Sequence, residues 1–264
     1  MSQTTVNQLI AGIGGAHVTA FFIVLARVTP LFFLAPLFSS KMIPARVRAI
    51  VAVALSVGLT PVATHGQHMP GAPLEVAGLI FQSLLVGFAF AFAVGIVFAA
   101  LHHVGALIDA IAGFGFAGLI DPAQGGQGGV LTSAYSLVGL VIFIAIGGDA
   151  WMLRGLSRTF DLVPLTHGPR VSSLTALATQ SFGQIFPAAL ELAAPALLAL
   201  LITDVAFGMV SRVVPQLNVF AVGFPVKVGV ALLVVSATLP FLAGWMSGQL
   251  TDSVGSALHA LRIA

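Results

Sequence analysis

The 264-residue chain is 58% hydrophobic and 7% charged, with a mean hydropathy of +1.09. A soluble domain carries about 25% charged residues, so this chain has too few charges to cover a water-facing surface, and its hydrophobicity excludes disorder. Its net charge of +2 lacks the clustered basic face of a nucleic-acid binder, and the absence of cysteine excludes disulfides, thiolate metal sites and cysteine nucleophiles, which leaves a polytopic membrane protein.

No Lys or Arg precedes Arg27, so the first apolar segment lacks the basic start of a cleavable signal and is expected to stay in the mature protein. A membrane span needs about 20 apolar residues. On that scale the sequence predicts six helical segments, at residues 9–38 (interrupted by Arg27, Pro30 and Pro36), 49–64, 76–108, 130–148, 174–203 and 219–250. They are apolar on every face, unlike the alternating strands of a membrane β-barrel, so the expected fold is all-α. Pro30, Pro36, Pro187, Pro195, Pro225 and Pro240 fall in or near these segments, where each is expected to kink or break its helix. In lipid such breaks survive only where protein or water surrounds them. Gly87, Ala91 and Gly95 recur at four-residue spacing, a face suited to close helix packing within the chain or against another subunit.

Basic residues set orientation. Lys41, Arg46 and Arg48 lie between the first two segments, and Arg212 and Lys227 flank the join of the last two. Both joins are therefore assigned to the cytoplasm and both termini to the outside. Arg154, Arg158 and Arg170 then fall outside, while the join of segments three and four has no Lys or Arg, a sign that not every segment is a simple lipid-facing span.

That join, residues 113–129 (GFGFAGLIDPAQGGQGG), is the most unusual stretch. Gly113, Gly115 and Gly118 spell GxGxxG, but a dinucleotide site needs the motif between a strand and a helix, with an acid about 20 residues on. Here an apolar helix precedes it, and no acid follows Asp121 until Asp149. Two readings stand: a plain flexible loop, or a mobile segment whose Phe114, Phe116, Leu119 and Ile120 supply bulk that fills a hole while glycine leaves the backbone unrestrained.

Catalytic patterns are absent. His102 and His103 are adjacent on a helix and point about 100° apart, so they cannot share a metal. His65 and His68 sit in a short Gly- and Pro-containing loop, and no HExxH, GxSxG or P-loop sequence occurs. Arg27, Asp109, Glu191, Asp204 and Lys227 lie inside apolar runs, each costing about 3 kcal/mol at a helix centre. They should face protein, water or one another, either as a conduction or coupling path or as structural pairs.

Several blocks together resemble a known family. DVAFG at 204–208 leads into RVVPQLNVFAVGFPVK at 212–227; Arg27 is followed by Ala35, Pro36 and Leu37 and by IPARVR at 43–48; and Gly118 through Pro122, Phe143 through Gly148, and Leu156, Phe160 and Pro164 also agree. The chain resembles the FliR family, the flagellar member of the type III secretion export apparatus. The resemblance implies a single-copy subunit of an inner-membrane export gate at the flagellar basal body, assembled with FliP and FliQ subunits into a cone-shaped channel for unfolded flagellar proteins. Residues 1–173 would be FliP-like and 174–264 a FliQ-like helical hairpin. Much of the assembly would rise above the membrane plane, and no cofactor or enzymatic activity is implied.

In that frame residues 113–129, with Gly113, Phe114, Gly115, Phe116, Gly118, Leu119, Asp121 and Pro122, would plug the channel. The segment carrying Arg212, Pro215, Gln216, Asn218, Gly223, Pro225 and Lys227 would shape its cytoplasmic entrance. One departure is Asp149, where relatives often carry histidine after the Gly147-Gly148 pair, so no proton-sensitive imidazole role carries over. Broken helices and intramembrane charges also suit a secondary transporter, although the two halves show no matching repeat. An intramembrane enzyme lacks motifs, and a virulence-type injectisome subunit of the same family is a further alternative.

Overall fold

A computed structural model describes residues 3–35, 38, 43–64, 67, 69, 70, 72–114, 129–216 and 218–262, with side chains from Gly15 onward except that of Phe220. Among them there is no strand. Helices α1 (Gln3–Leu34), α2 (Ala45–Ala63), α3 (Pro73–Ala112), α4 (Val130–Ala145), α5 (Gly148–Leu162), α6 (Val171–Val213) and α7 (Val219–Arg262) follow in chain order.

The sequence expectation of an all-α membrane protein holds, with corrections in detail. Five stretches within α1, α2, α3, α6 and α7 are long and apolar enough to cross a membrane. The predicted fourth segment is not a straight span. It stops at Ala145, and α4 and α5 form a pair bent by 71°, with Gly147 between them at φ +70°, a conformation open to glycine at no steric cost. Helix α5 was not anticipated because Asp149, Arg154, Arg158 and Asp161 interrupt any apolar run.

Prolines do not end the helices they occupy. α1 runs through Pro30, α2 through Pro61, α6 through Pro187 and Pro195, and α7 through Pro225 and Pro240. Each removes one backbone donor, yet in lipid the rest of the ladder has no other partner, so the helix persists on both sides. Pro36 lies outside the described residues. At a rise of about 1.5 Å per residue, the 40 residues of α3, 43 of α6 and 44 of α7 each reach about 60 Å or more, twice a hydrocarbon core of about 30 Å.

The chain forms two compact units, one of residues 1–95, 149–182 and 250–264, the other of 96–148 and 183–249. In the first, α1 packs on α2 and runs parallel to α3. A Cβ on Gly87 would overlap the Arg27 carbonyl, and one on Gly95 would lie 3.4 Å from the Leu34 oxygen. Ala91 between them is fully buried. The small-residue face thus serves a crossing within the chain, where only a hydrogen at Gly87 lets the backbones meet. Val24, Val28, Phe90, Leu156 and Phe160 are buried in this unit.

In the second unit α3 and α4 pack antiparallel. A Cβ on Gly105 would strike the Thr132 backbone, and one on Gly139 would lie 2.6 Å from Leu101 Cδ1. Residues 183–249, the part of the α6–α7 hairpin around its turn, also belong here. The hairpin's helices touch where Gly223 faces the Phe207 ring, 3.7 Å from where a Cβ would stand.

Candidate functional site

Helix α3 ends at a site built by Asp109, Gly113, Gly129, Leu131 and Thr132. Gly113 adopts φ +94° and its N–H donates to Asp109 O at 3.1 Å, the left-handed glycine that commonly closes a helix. Asp109, 4% exposed, reaches across to the start of α4. It accepts from the N–H of Leu131 at 3.0 Å, the N–H of Thr132 at 2.8 Å and the Thr132 hydroxyl at 2.6 Å. The residue before α4 is Gly129, which has no side chain to cap the helix, and a Cβ there would collide with the Asp109 carboxylate. Asp109 is therefore an N-cap supplied from another helix, its charge placed at the positive end of the α4 dipole.

Phe114 follows Gly113 and sets its ring against Phe224 of α7, centroids 6.5 Å apart. A cavity of about 240 Å³ lies beside this contact, bounded by Gly113, Phe207, Phe224, Asp204 and Lys227. Lys227 Nζ donates to Asp204 Oδ2 at 3.0 Å and stands 2.9 Å from Oδ1. Both side chains are partly solvated, 20% exposed for Lys227 and 46% for Asp204. The structure thus joins the start of the glycine-rich segment to the second half of the block at 212–227. Gly115, Phe116, Gly118, Leu119, Asp121 and Pro122 lie outside the described residues.

Arg212, Pro215, Gln216, Asn218 and Pro225 are exposed. The turn falls at Pro215, after α6 ends at Val213, and Asn218 Oδ1 accepts from the Ala221 N–H at 3.1 Å, an N-cap for α7. No break falls at Pro225, since α7 continues through it.

Arg27 sits in the other unit and is 1% exposed. Its Nε donates to Ser83 Oγ at 3.0 Å, while Nη1 donates to the carbonyls of Thr159 at 2.9 Å and Val163 at 2.7 Å. The guanidinium carbon lies 4.6 Å from the centre of the Phe160 ring. These carbonyls lie at the end of α5, where the dipole is negative; Thr159 O also accepts from the Val163 N–H at 3.0 Å, and α5 has no basic residue in its own last turn. Arg27 caps that end from α1, with added stabilisation from the aromatic face.

Sequence reasoning singled out Arg27 and Asp109 but missed their hydrogen-bond partners Ser83, Thr159, Val163, Leu131 and Thr132, which lie 22 to 136 residues away in the chain. It missed Phe207 and Phe224 as contacts, although both lie in the motif blocks. Glu191 is exposed on α6. His103 Nδ1 lies 2.7 Å from Ala99 O, and His65 and His68 are outside the described residues. Among the described residues no group of three His, Cys, Asp or Glu could hold a metal ion.

The profile of a family described as bacterial export proteins, family 1, matches residues 18–253. The chain belongs to this family, that of FliR. It is similar to the flagellar biosynthetic protein FliR of Escherichia coli (strain K12), 30% identical over 243 residues that cover 92% of this chain and 91% of the relative. Similarity to FliR of Pectobacterium carotovorum subsp. carotovorum is also 30% over 230 residues, 85% of this chain and 86% of the relative. The surface presentation of antigens protein SpaR of Shigella sonnei is 30% identical over 222 residues, 81% and 84% of the two chains. Family membership agrees with the apolar helices in making this a membrane-embedded bacterial export protein.

Proposed function

We propose that this chain is a subunit of the inner-membrane export gate of a flagellar type III secretion system, present once beside FliP-like and FliQ-like subunits, through which unfolded flagellar proteins leave the cytoplasm. The observation that carries this is the similarity to flagellar FliR proteins over most of both chains. Residues 1–173 act as the FliP-like part and 174–264 as the FliQ-like part, with both termini outside the cytoplasm.

The surface supports a need for partners. In α3, 61% of the most apolar stretch is buried within the chain, against 33% in α6 and 17% in α7. Leu198, Ile202, Val205 and Met209 on α6 and Leu233 and Phe241 on α7 are exposed, and lipid or neighbouring helices must cover them.

Residues 113–129 close the pore between cargo molecules. A channel wide enough for a polypeptide would dissipate the membrane potential, worth about 2.3 kcal/mol per charge per 100 mV, so something must fill it. The chain from Arg212 to Lys227 shapes the cytoplasmic entrance, with Asn218 starting α7 and Pro215 ending α6.

The test is to express the chain with FliP-like and FliQ-like subunits in a flagellated host lacking its own family member. Co-purification of the three and recovery of flagellar export are expected. A monodisperse, protease-resistant monomer without partners would contradict the assembly, and transport of a small solute by that monomer in liposomes would favour a carrier.

A further inference from the structure

The first unit contains an apolar trough between α3 and the opening turns of α6. Its volume is about 310 Å³, and Leu85, Phe88, Phe92, Leu174, Leu177 and Ala178 form most of its lining. The rings of Phe88 and Phe92, one turn apart on α3, stand nearly parallel at 6° with centroids 6.4 Å apart, which gives the trough a flat wall. The one hydroxyl in the lining, that of Thr175, donates to the Ser172 carbonyl at 2.9 Å. No lining side chain is therefore left to bind water or a polar ligand. Phe88 is 51% exposed and Val171, at the start of α6, 69% exposed, so hydrocarbon or protein must cover them.

The trough ends beside a cation. Arg170 directly precedes Val171, is exposed, and its guanidinium has no partner among the described residues. Leu174 packs on a small core of Val86, Val163 and Leu261, which brings the end of α7 to the same place. There Arg158, His259 and Arg262 line a second cavity with one acid, Asp161. The first turn of α6 has no acidic residue. Glu75 lines a separate cavity with His167 and Gly168 and forms no ion pair among the described residues. The rim above the trough thus carries three arginines, Arg158, Arg170 and Arg262, against Asp161.

An apolar trough that opens at a cationic rim matches a ligand with an apolar chain and an anionic head. We propose that the trough holds one acyl chain of an anionic phospholipid whose phosphate pairs with Arg170. The planar guanidinium suits a phosphate, to which it can donate two parallel hydrogen bonds, and the featureless lining suits a hydrocarbon chain. A neighbouring helix is the competing occupant. At about 10 Å across with its side chains, it could lie over the trough and send side chains in, but Arg170 would stay unpaired unless that helix brought an acid to the same point. The lipid would be a fixed component of the subunit that seals the seam between α3 and α6. This inference goes beyond the export-gate function and does not depend on it.

The first test replaces Phe88 with p-benzoylphenylalanine, which keeps a ring on the trough wall, in the full chain expressed with its partner subunits. Illumination of the cell membranes should add the mass of one phospholipid to the intact chain. Attachment to another protein chain instead, or no adduct, overturns the proposal. The second test equilibrates the purified assembly with vesicles containing equal amounts of phosphatidylglycerol and phosphatidylcholine and counts the retained lipid by mass spectrometry of the intact complex. The unmodified chain should retain phosphatidylglycerol about tenfold over phosphatidylcholine, and Arg170→Gln should lose most of that preference. Ala178→Phe, which fills the trough with apolar bulk, should lose the retained lipid at an unchanged level of assembly. Preference unchanged in Arg170→Gln overturns the headgroup contact, and retention unchanged in Ala178→Phe overturns the trough. If Ala178→Phe does not assemble, the cross-link and Arg170→Gln still decide. Failure to co-purify with FliP-like and FliQ-like subunits would count against the proposed function, while the cross-link in membranes would still report the lipid.

Discussion

Arg27 is 1% exposed and, among the described residues, faces no carboxylate, whereas Lys227 is 20% exposed and stands 2.9 Å from Asp204. Both are cations in apolar helices, and both were candidates for one conduction or coupling path. Their surroundings separate them. Arg27 is held by two carbonyls at the end of α5, a serine hydroxyl and an aromatic face, so moving it would strand buried groups that water cannot reach. Lys227 and Asp204 can exchange their bond for water at little cost, as solvated ion pairs do. Asp109 belongs with Arg27, since it too is buried and closes the end of another helix. Full burial marks charges that fix the scaffold, and partial solvation marks a pair that water can replace.

The distinction is sharpest at Arg27. Replacing it with Met keeps apolar volume but leaves the buried Val163 carbonyl without its Arg27 donor, at about 1–3 kcal/mol, and the Thr159 carbonyl with the Val163 N–H alone. Arg27→Met should therefore destabilise the assembled gate by about 3 kcal/mol, read as a fall in its denaturation midpoint in detergent. Arg27→Lys should recover part of the loss, because an ammonium can reach a carbonyl but lacks the planar fork that spans Ser83 and both oxygens. If Arg27→Met costs no more than Lys227→Met, the separation of the two classes fails.

Asp109→Ala should come next, at about 2 kcal/mol, since it orphans the Leu131 and Thr132 N–H groups. Asp109→Asn should be milder than alanine if cap geometry dominates, and equal to it if the charge on the α4 dipole dominates. Removing the exposed cap in Asn218→Ala should cost about 1 kcal/mol, measured by the same unfolding transition. The smallest effect is expected at the solvated pair. Lys227→Met alone should cost about 0.5 kcal/mol, and exchanging the residues as Asp204→Lys with Lys227→Asp should restore most of it.

Much of the architecture was legible in the sequence, because apolar runs without charge have few ways to satisfy their backbone. The limits of α2, α3, α6 and α7 differ from expectation chiefly in length, since helices continue into polar residues once nucleated. Helix α5 was not legible: its buried side is formed by Met152, Gly155, Leu156, Thr159 and Phe160, a helical stripe that average hydropathy hides beneath its charges. The roles of Arg27 and Asp109 were out of reach for a different reason. A cap normally sits beside its helix in sequence, and the Arg27 contact to Thr159 spans 132 residues. The motif at 212–227 was legible as a family signature, but nothing in it announced that Phe224 would meet Phe114.

The central proposal is that this chain helps to form a polypeptide channel and closes it at rest with residues 113–129. The most direct measurement is the conductance of planar bilayers containing the purified gate, assembled with FliP-like and FliQ-like subunits, for the unmodified chain and for a deletion of residues 114–119. The unmodified gate should be silent without cargo, and the deletion should conduct steadily at equal protein density. Equal conductance in the two would contradict the claim and leave residues 113–129 as a connecting loop.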